Sequence, residues 1–138
     1  MRVLLVLAVL FIVCLKSFAD CYVPEFDKMQ TLRCDFEERI FEQNGTLVTR
    51  NNKFRIFHID DENKKIYLQK EPIDNVLYYE ADRIEFGLQS MTDDAIIMSQ
   101  TVLNRKTYEY NSNSTITYDN PDFGVRNSQS SGVCKILP

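Results

Sequence analysis

Tryptophan is absent from the 138-residue chain, histidine occurs once, and glycine and proline occur four times each. Each scarcity removes a class of chemistry. With one histidine, His58, and neither an HExxH nor a CxxC spacing, the chain lacks the ligand pattern that zinc coordination requires. The glycines form no phosphate-cradling motif. Without tryptophan, a sugar cleft lacks the large aromatic lining that commonly surrounds the paired carboxylates of a glycosidase, so the abundance of acids is not by itself a site. No G-x-S-x-G elbow is present for a serine nucleophile. Asp60-Asp61-Glu62 is the densest acidic run, yet it has neither the alternating ligand positions nor the glycine of a calcium loop. It reads as a solvated hairpin loop, and His58 as a strand residue whose functional use would be a pH-sensitive contact. No catalytic, cofactor-binding or metal residue is assigned, and no cofactor is implied.

Long apolar runs are also missing after the first 15 residues. The start itself has the order of a signal peptide: basic Arg2, an apolar stretch from Val3 to Leu15, and then Lys16-Ser17-Phe18-Ala19. Small residues at Ser17 and Ala19 place cleavage after Ala19, so residues 1–19 are excluded from the fold. The apolar stretch falls short of the roughly 20 residues that span a bilayer, and no stable membrane insertion is expected once it is removed. Lipidation at Cys21 is disfavoured because Asp20 precedes it. The expected location is therefore secreted or periplasmic.

Removing residues 1–19 takes away Arg2 and Lys16 and no acid, leaving 14 of the 16 basic residues against 20 acidic ones, a formal charge of −6. That balance opposes a phosphate backbone, whose attraction for proteins comes from Lys and Arg, and nucleic acid is not an expected partner. It favours encounter with a basic extracytoplasmic protein. The 119 residues that remain suit one domain that buries roughly two-thirds of its unfolded surface.

Residues 20–31 read as an irregular lead-in, and residues 32–138 as one compact β-rich domain. Leu32, Cys34 and Phe36 alternate as in a strand, although Asp35, Glu37, Glu38, Arg39 and Glu42 also fit a short helix. Asn44-Gly45 is a tight-turn pair. Thr46–Thr49 and Lys53–Asp60 follow as two strands parted by an Asn51-Asn52 turn, and a polar loop leads to Lys65–Gln69. Pro72 interrupts the ladder, and Val76–Glu80 is a further short strand. Arg83–Leu88 is the cleanest element, with Ile84, Phe86 and Leu88 on one face. Strands at 95–103, 108–110, 115–118 and 132–137 complete the pattern. Thr, Ile, Val, Tyr and Phe dominate these segments. The fold class is mainly β: an antiparallel meander or a small barrel, complete or incomplete, of six to eight short strands.

Export permits disulfides, and a small domain benefits from one. Cys34 and Cys134 both lie in short alternating segments, so adjacent strands are expected to pair them; Cys21 with Cys34 and Cys21 with Cys134 are the competing bridges. With the first pairing, Cys21 is left as a candidate free thiol or intermolecular bridge. Asn44-Gly45-Thr46 and Asn113-Ser114-Thr115 match the glycosylation sequon and fall at expected turns, so Asn44 and Asn113 are modification sites if the source is eukaryotic.

Several short pieces carry a family resemblance: Phe57-His58-Ile59-Asp60 followed by Lys64-Lys65-Ile66, then Arg83-Ile84-Glu85-Phe86, Leu103-Asn104-Arg105-Lys106-Thr107, and Gly132-Val133-Cys134. Over residues 54–136 the chain resembles small exported proteins of Gram-negative bacteria whose functions are uncharacterised. Those proteins often carry glycine after the threonine of the fourth piece, where this chain has Tyr108. The resemblance implies a compact exported β domain and supplies no ligand. Export, a β scaffold, many tyrosines and no catalytic constellation together point to a non-enzymatic binding domain for a protein or small apolar ligand. The alternatives are an inhibitor of a basic secreted hydrolase and a structural component of an envelope assembly.

Overall fold

The computed structural model describes residues 23–138. The signal-peptide reading and Cys21 lie outside the described residues. A single 3₁₀ turn, Phe26–Lys28, precedes nine strands: β1 (Gln30–Glu42), β2 (Leu47–Asp60), β3 (Lys65–Leu68), β4 (Glu71–Pro72), β5 (Val76–Tyr79), β6 (Arg83–Met91), β7 (Ala95–Asn104), β8 (Glu109–Tyr118) and β9 (Val125–Leu137). They form one antiparallel sheet in the order β4-β3-β2-β1-β9-β8-β7-β6-β5. The chain thus builds two meanders that meet where β9 docks beside β1.

The outermost strands, β4 and β5, are consecutive in sequence, and this dictates the shape. Nine strands at about 4.8 Å spacing would lie about 38 Å wide if flat. Four residue steps from Pro72 to Val76 span at most about 14 Å. The sheet therefore has to curl until its two edges approach each other. The closure is covalent and not laddered, which makes the fold an incomplete barrel. The bridging segment is drawn inward: Ile73 is buried and its N–H donates to the Ile66 carbonyl at 3.0 Å, while the Gly87 N–H donates to the Asn75 carbonyl at 2.9 Å.

Inward-facing residues fill the curl. Leu32, Cys34 and Phe36 of β1 meet Phe57 and Ile59 of β2, Ile84 and Phe86 of β6, Leu103, Tyr110 and Cys134. Phe57 packs edge-on to Phe86 at 5.6 Å between ring centroids. Further along the same inner face of β7, β8 and β9, the buried residues are small and polar: Thr101, Ser112, Ser128 and Ser130. Thr101 and Ser112 share a hydrogen bond of 2.9 Å, and short side chains there leave room for tight curvature.

Several sequence expectations differ from the structure. The described residues form nine strands and not six to eight, and several are long: β1 and β9 have 13 residues each and β2 has 14. Asn51-Asn52 makes no turn. The reversal already occurs at Asn44-Gly45, where Gly45 takes φ +85°, so the chain has to run back along β1 and Asn51 and Asn52 pair with Glu38 and Glu37. Likewise 108–110 and 115–118 fuse into β8, because Asn111–Ser114 have partners on both sides. The compact fold also begins before residue 32. β1 starts at Gln30, and Phe26 of the expected irregular lead-in lies 4.9 Å from the His58 ring and 5.1 Å from the Tyr67 ring.

Tyr108 adopts φ +60°, a conformation that glycine takes without strain. Its side chain packs against the core, and its carbonyl accepts the Cys134 N–H at 2.7 Å. These contacts offset the backbone cost at the β7–β8 turn.

Candidate functional site

Cys34 and Cys134 stand directly opposite each other on β1 and β9, with their sulfurs at bonding distance, 1.97 Å. The bridge thus ties together the strands through which the two meanders join. Both cysteines are buried. Asn44 lies on the exposed β1–β2 turn, where its Oδ1 accepts the Thr46 N–H at 2.9 Å. Asn113 departs from expectation: it is exposed in the middle of β8 and not at a turn, with Gln100 and Gln129 as its cross-strand neighbours.

His58 sits on the outer face of β2, only 9 % exposed, under Phe26 and beside Tyr67. Its Nδ1 is 3.0 Å from the Thr31 hydroxyl. Burial, and then the positive charge of Lys70, hold its pKa below the ordinary 6.5. Folding therefore favours the neutral ring. This contribution to stability is present above about pH 6.5 and is lost as pH falls through the folded-state value. As the chain has one histidine, its ring C–H resonance is unambiguous in proton NMR. Titration is expected to give a midpoint below 6.5, moving upward in Phe26→Ala as water reaches the ring; a wild-type midpoint at or above 6.5 contradicts this account.

Asp60 and Asp61 of the acidic run have structural roles. Asp60 Oδ1 accepts the Asn63 N–H at 3.2 Å and its Oδ2 accepts from Asn63 Nδ2 at 2.9 Å, closing the β2–β3 loop. Asp61 receives both Arg105 terminal nitrogens, at 2.8 and 2.7 Å, and the Tyr79 hydroxyl at 2.9 Å. The Arg105 hydrogen bonds hold the Asp61 carboxyl below the usual range, while burial and then Asp61 itself push the Tyr79 phenol up. This clasp joins the β2–β3 hairpin, the end of β5 and the β7–β8 turn, so it fastens the barrel across the gap that has no ladder. Among the described residues no group of three His, Cys, Asp or Glu side chains is placed to hold a metal ion.

Two of the surface grooves have contrasting linings. One, of about 570 Å³, runs between the N-terminal turn and the β2–β3 hairpin and is edged by Glu25, Asp60, Asp61 and Glu62. Lys28 also lines it, with its ammonium 2.6 Å from Glu25. The other, of about 540 Å³, crosses the outer face of the sheet from β5 to β9. Its floor carries Gln100 and Met98 of β7, Asn113 and Thr115 of β8, and Asn127 and Gln129 of β9, and its wall is Asn75 and Leu77. None of its lining residues is ionisable. Gly87 leaves room for the Asn75 amide in this position, because a Cβ at residue 87 would come 2.4 Å from Asn75 Nδ2.

No strand by itself reveals this second groove. Its residues span positions 75 to 129 and are collected by register alone, each contributing one outward residue to rows such as Gly87, Gln100, Asn113 and Gln129. The available sequence signal is the run of uncharged amides and hydroxyls on the outward parity of β8 and β9, from Asn111 to Thr117 and from Asn127 to Ser131. No protein-family model matches this chain, and no curated protein matches it.

Proposed function

We propose that this chain is an exported, non-enzymatic binding domain that engages a protein partner through the outer face of β7, β8 and β9. The observation that carries this reading is the groove of about 540 Å³ whose lining holds no ionisable side chain in a chain with 36 charged residues. Amide side chains both donate and accept hydrogen bonds, so Gln100, Asn113, Asn127 and Gln129 suit the backbone groups of a neutral polypeptide surface. Met98 adds an adaptable apolar contact. A small apolar ligand is less well served, because Phe57, Ile84, Phe86, Leu103 and Tyr110 already occupy the apolar interior. The signal-peptide pattern and the Cys34–Cys134 bridge support export to an oxidising compartment.

The mature protein, immobilised and exposed to proteins of its own compartment, is expected to retain a specific partner. Gln100→Glu with Gln129→Glu is expected to release that partner while leaving the fold intact, since both residues are solvent-facing. Equal retention by the double variant would remove the groove from the reading. An empty capture together with an empty lipid and metabolite screen would remove the binding function altogether.

The acidic groove supports a second reading, inhibition of a basic secreted hydrolase, because Glu25, Asp60, Asp61 and Glu62 lie along one cleft. Undiminished activity of a panel of basic hydrolases at saturating mature protein would count against it.

A further inference from the structure

The sheet has unpaired edges of two kinds. On β2, the partner β3 begins only at Phe57, so Leu47–Arg55 has β1 on one side and no strand on the other among the described residues. That edge carries Arg50, Lys53 and Arg55, the sort of charge that discourages another chain from adding a strand. On β6, the partner β5 covers only Ile84–Phe86, and Gly87 bonds to the departing chain at Asn75. Among the described residues, Leu88, Gln89, Ser90 and Met91 therefore pair with β7 alone. This edge has no charge, no proline and no bulge. The outermost strands are blunted differently: β4 is two residues long and contains Pro72, and β5 has four residues and an irregular register.

Beside the unguarded β6 edge lies an exposed apolar cluster. The register places Met91 opposite Ile96 and Gln89 opposite Met98. Met91 is 73 % exposed, Met98 60 % and Leu77 54 %. The uncharged groove runs on from this cluster across β7 to β9. Open backbone groups, exposed apolar side chains and a neutral surface thus coincide at one place. Resting on the binding reading above, we propose that the partner contributes an extended, uncharged segment that adds as a strand to β6 along Leu88–Met91. Its apolar side chains would lie against Met91, Met98 and Leu77.

The lane favours a foreign segment over a second copy. It is four residues long before β5 blocks it, and antiparallel self-pairing about Gln89 and Ser90 would drive the Asp93-Asp94 turn of each copy toward the β5 and Glu85 region of the other. A partner segment is free to turn out of the sheet there. Main-chain hydrogen bonds would supply affinity and alternate side chains specificity, as in other strand additions. The neutral lane selects against a charged segment.

The test uses the mature protein and a blocked hexapeptide of alternating threonine and valine, with amide hydrogen exchange as the readout. The peptide is expected to slow exchange at alternate residues of Leu88–Met91 and to leave Leu47–Arg55 unchanged. Ser90→Lys, which installs the missing guard charge, is expected to weaken binding about tenfold or more. Replacing each peptide threonine with glutamate is expected to have a comparable effect. No added protection at β6 under saturating peptide, or undiminished protection in Ser90→Lys, would overturn strand addition. Protection that rises with protein concentration without peptide would assign the edge to self-association instead. A captured partner that the groove variant releases but that leaves β6 exchange unchanged would sink strand addition alone and leave the binding function standing.

Discussion

Replacing Gly132 with valine is expected to cost roughly 3 kcal/mol of folding stability, the upper end of what overpacking a filled site usually produces. Gly132 lies on β9 between Phe36 of β1 and Tyr110 of β8, its direct partners on either side. The rings of Phe36 and Tyr110 stack at 4.7 Å between centroids, across a row in which Gly132 presents no side chain. A Cβ there would come 2.0 Å from the Asp35 carbonyl oxygen, 2.6 Å from Phe36 Cα and 2.7 Å from Phe36 Cβ. Two of these atoms are backbone, so no rotamer change relieves the clash; β1 and β9 have to separate at the junction of the two meanders. Urea unfolding followed by far-ultraviolet circular dichroism measures the loss. Adding Phe36→Ala to Gly132→Ala is expected to bring no rescue, because alanine retains all three clashing atoms. Rescue by that double variant, or a loss below about 1 kcal/mol for Gly132→Val, would refute this account of the junction.

The clash at Gly132 also shows why parts of the fold were hidden in the sequence. Alternation of apolar and polar residues exposed β6 clearly, since Ile84 and Phe86 are buried on one face and Arg83 and Glu85 are not. The hairpin between β2 and β3 and the Asn44-Gly45 reversal were legible from turn chemistry. The same alternation rule fails along Asn127–Ser131, where the inward residues Ser128 and Ser130 are as polar as their outward neighbours. There the inner face is selected for small volume, and the strand is held by partners on both sides, β1 and β8. The division of β2 at Asn51-Asn52 failed for a related reason: two good turn residues are overruled once the strand opposite runs on to Glu42. The groove and the β6 edge were not legible at all. The first depends on register across five strands, and the second on where β5 stops short of β6.

Loss of the Cys34–Cys134 bridge, by Cys34→Ala with Cys134→Ala, is expected to destabilise the domain by about 4 to 5 kcal/mol in the chain-entropy limit. The two residues are 100 positions apart, so the bridge closes nearly the whole described chain into one loop. An open loop of that length leaves the unfolded ensemble far more freedom, whereas the folded state keeps the β1–β9 ladder with or without the sulfurs. Cys34 and Cys134 already face each other in register, next to the Cys134 N–H bond to Tyr108. Their burial, with Cys34 fully inaccessible and Cys134 only 4 % exposed, is expected to make reduction require opening of the sheet. Non-reducing peptide mapping should therefore recover a Cys34–Cys134 peptide as the dominant species. Urea unfolding of the double-alanine protein should show the lower midpoint, and reductant should act on the native protein slowly unless denaturant is present. A dominant Cys21–Cys34 peptide, or a double variant within about 1 kcal/mol of the parent, would mean that the ladder alone holds the two meanders together.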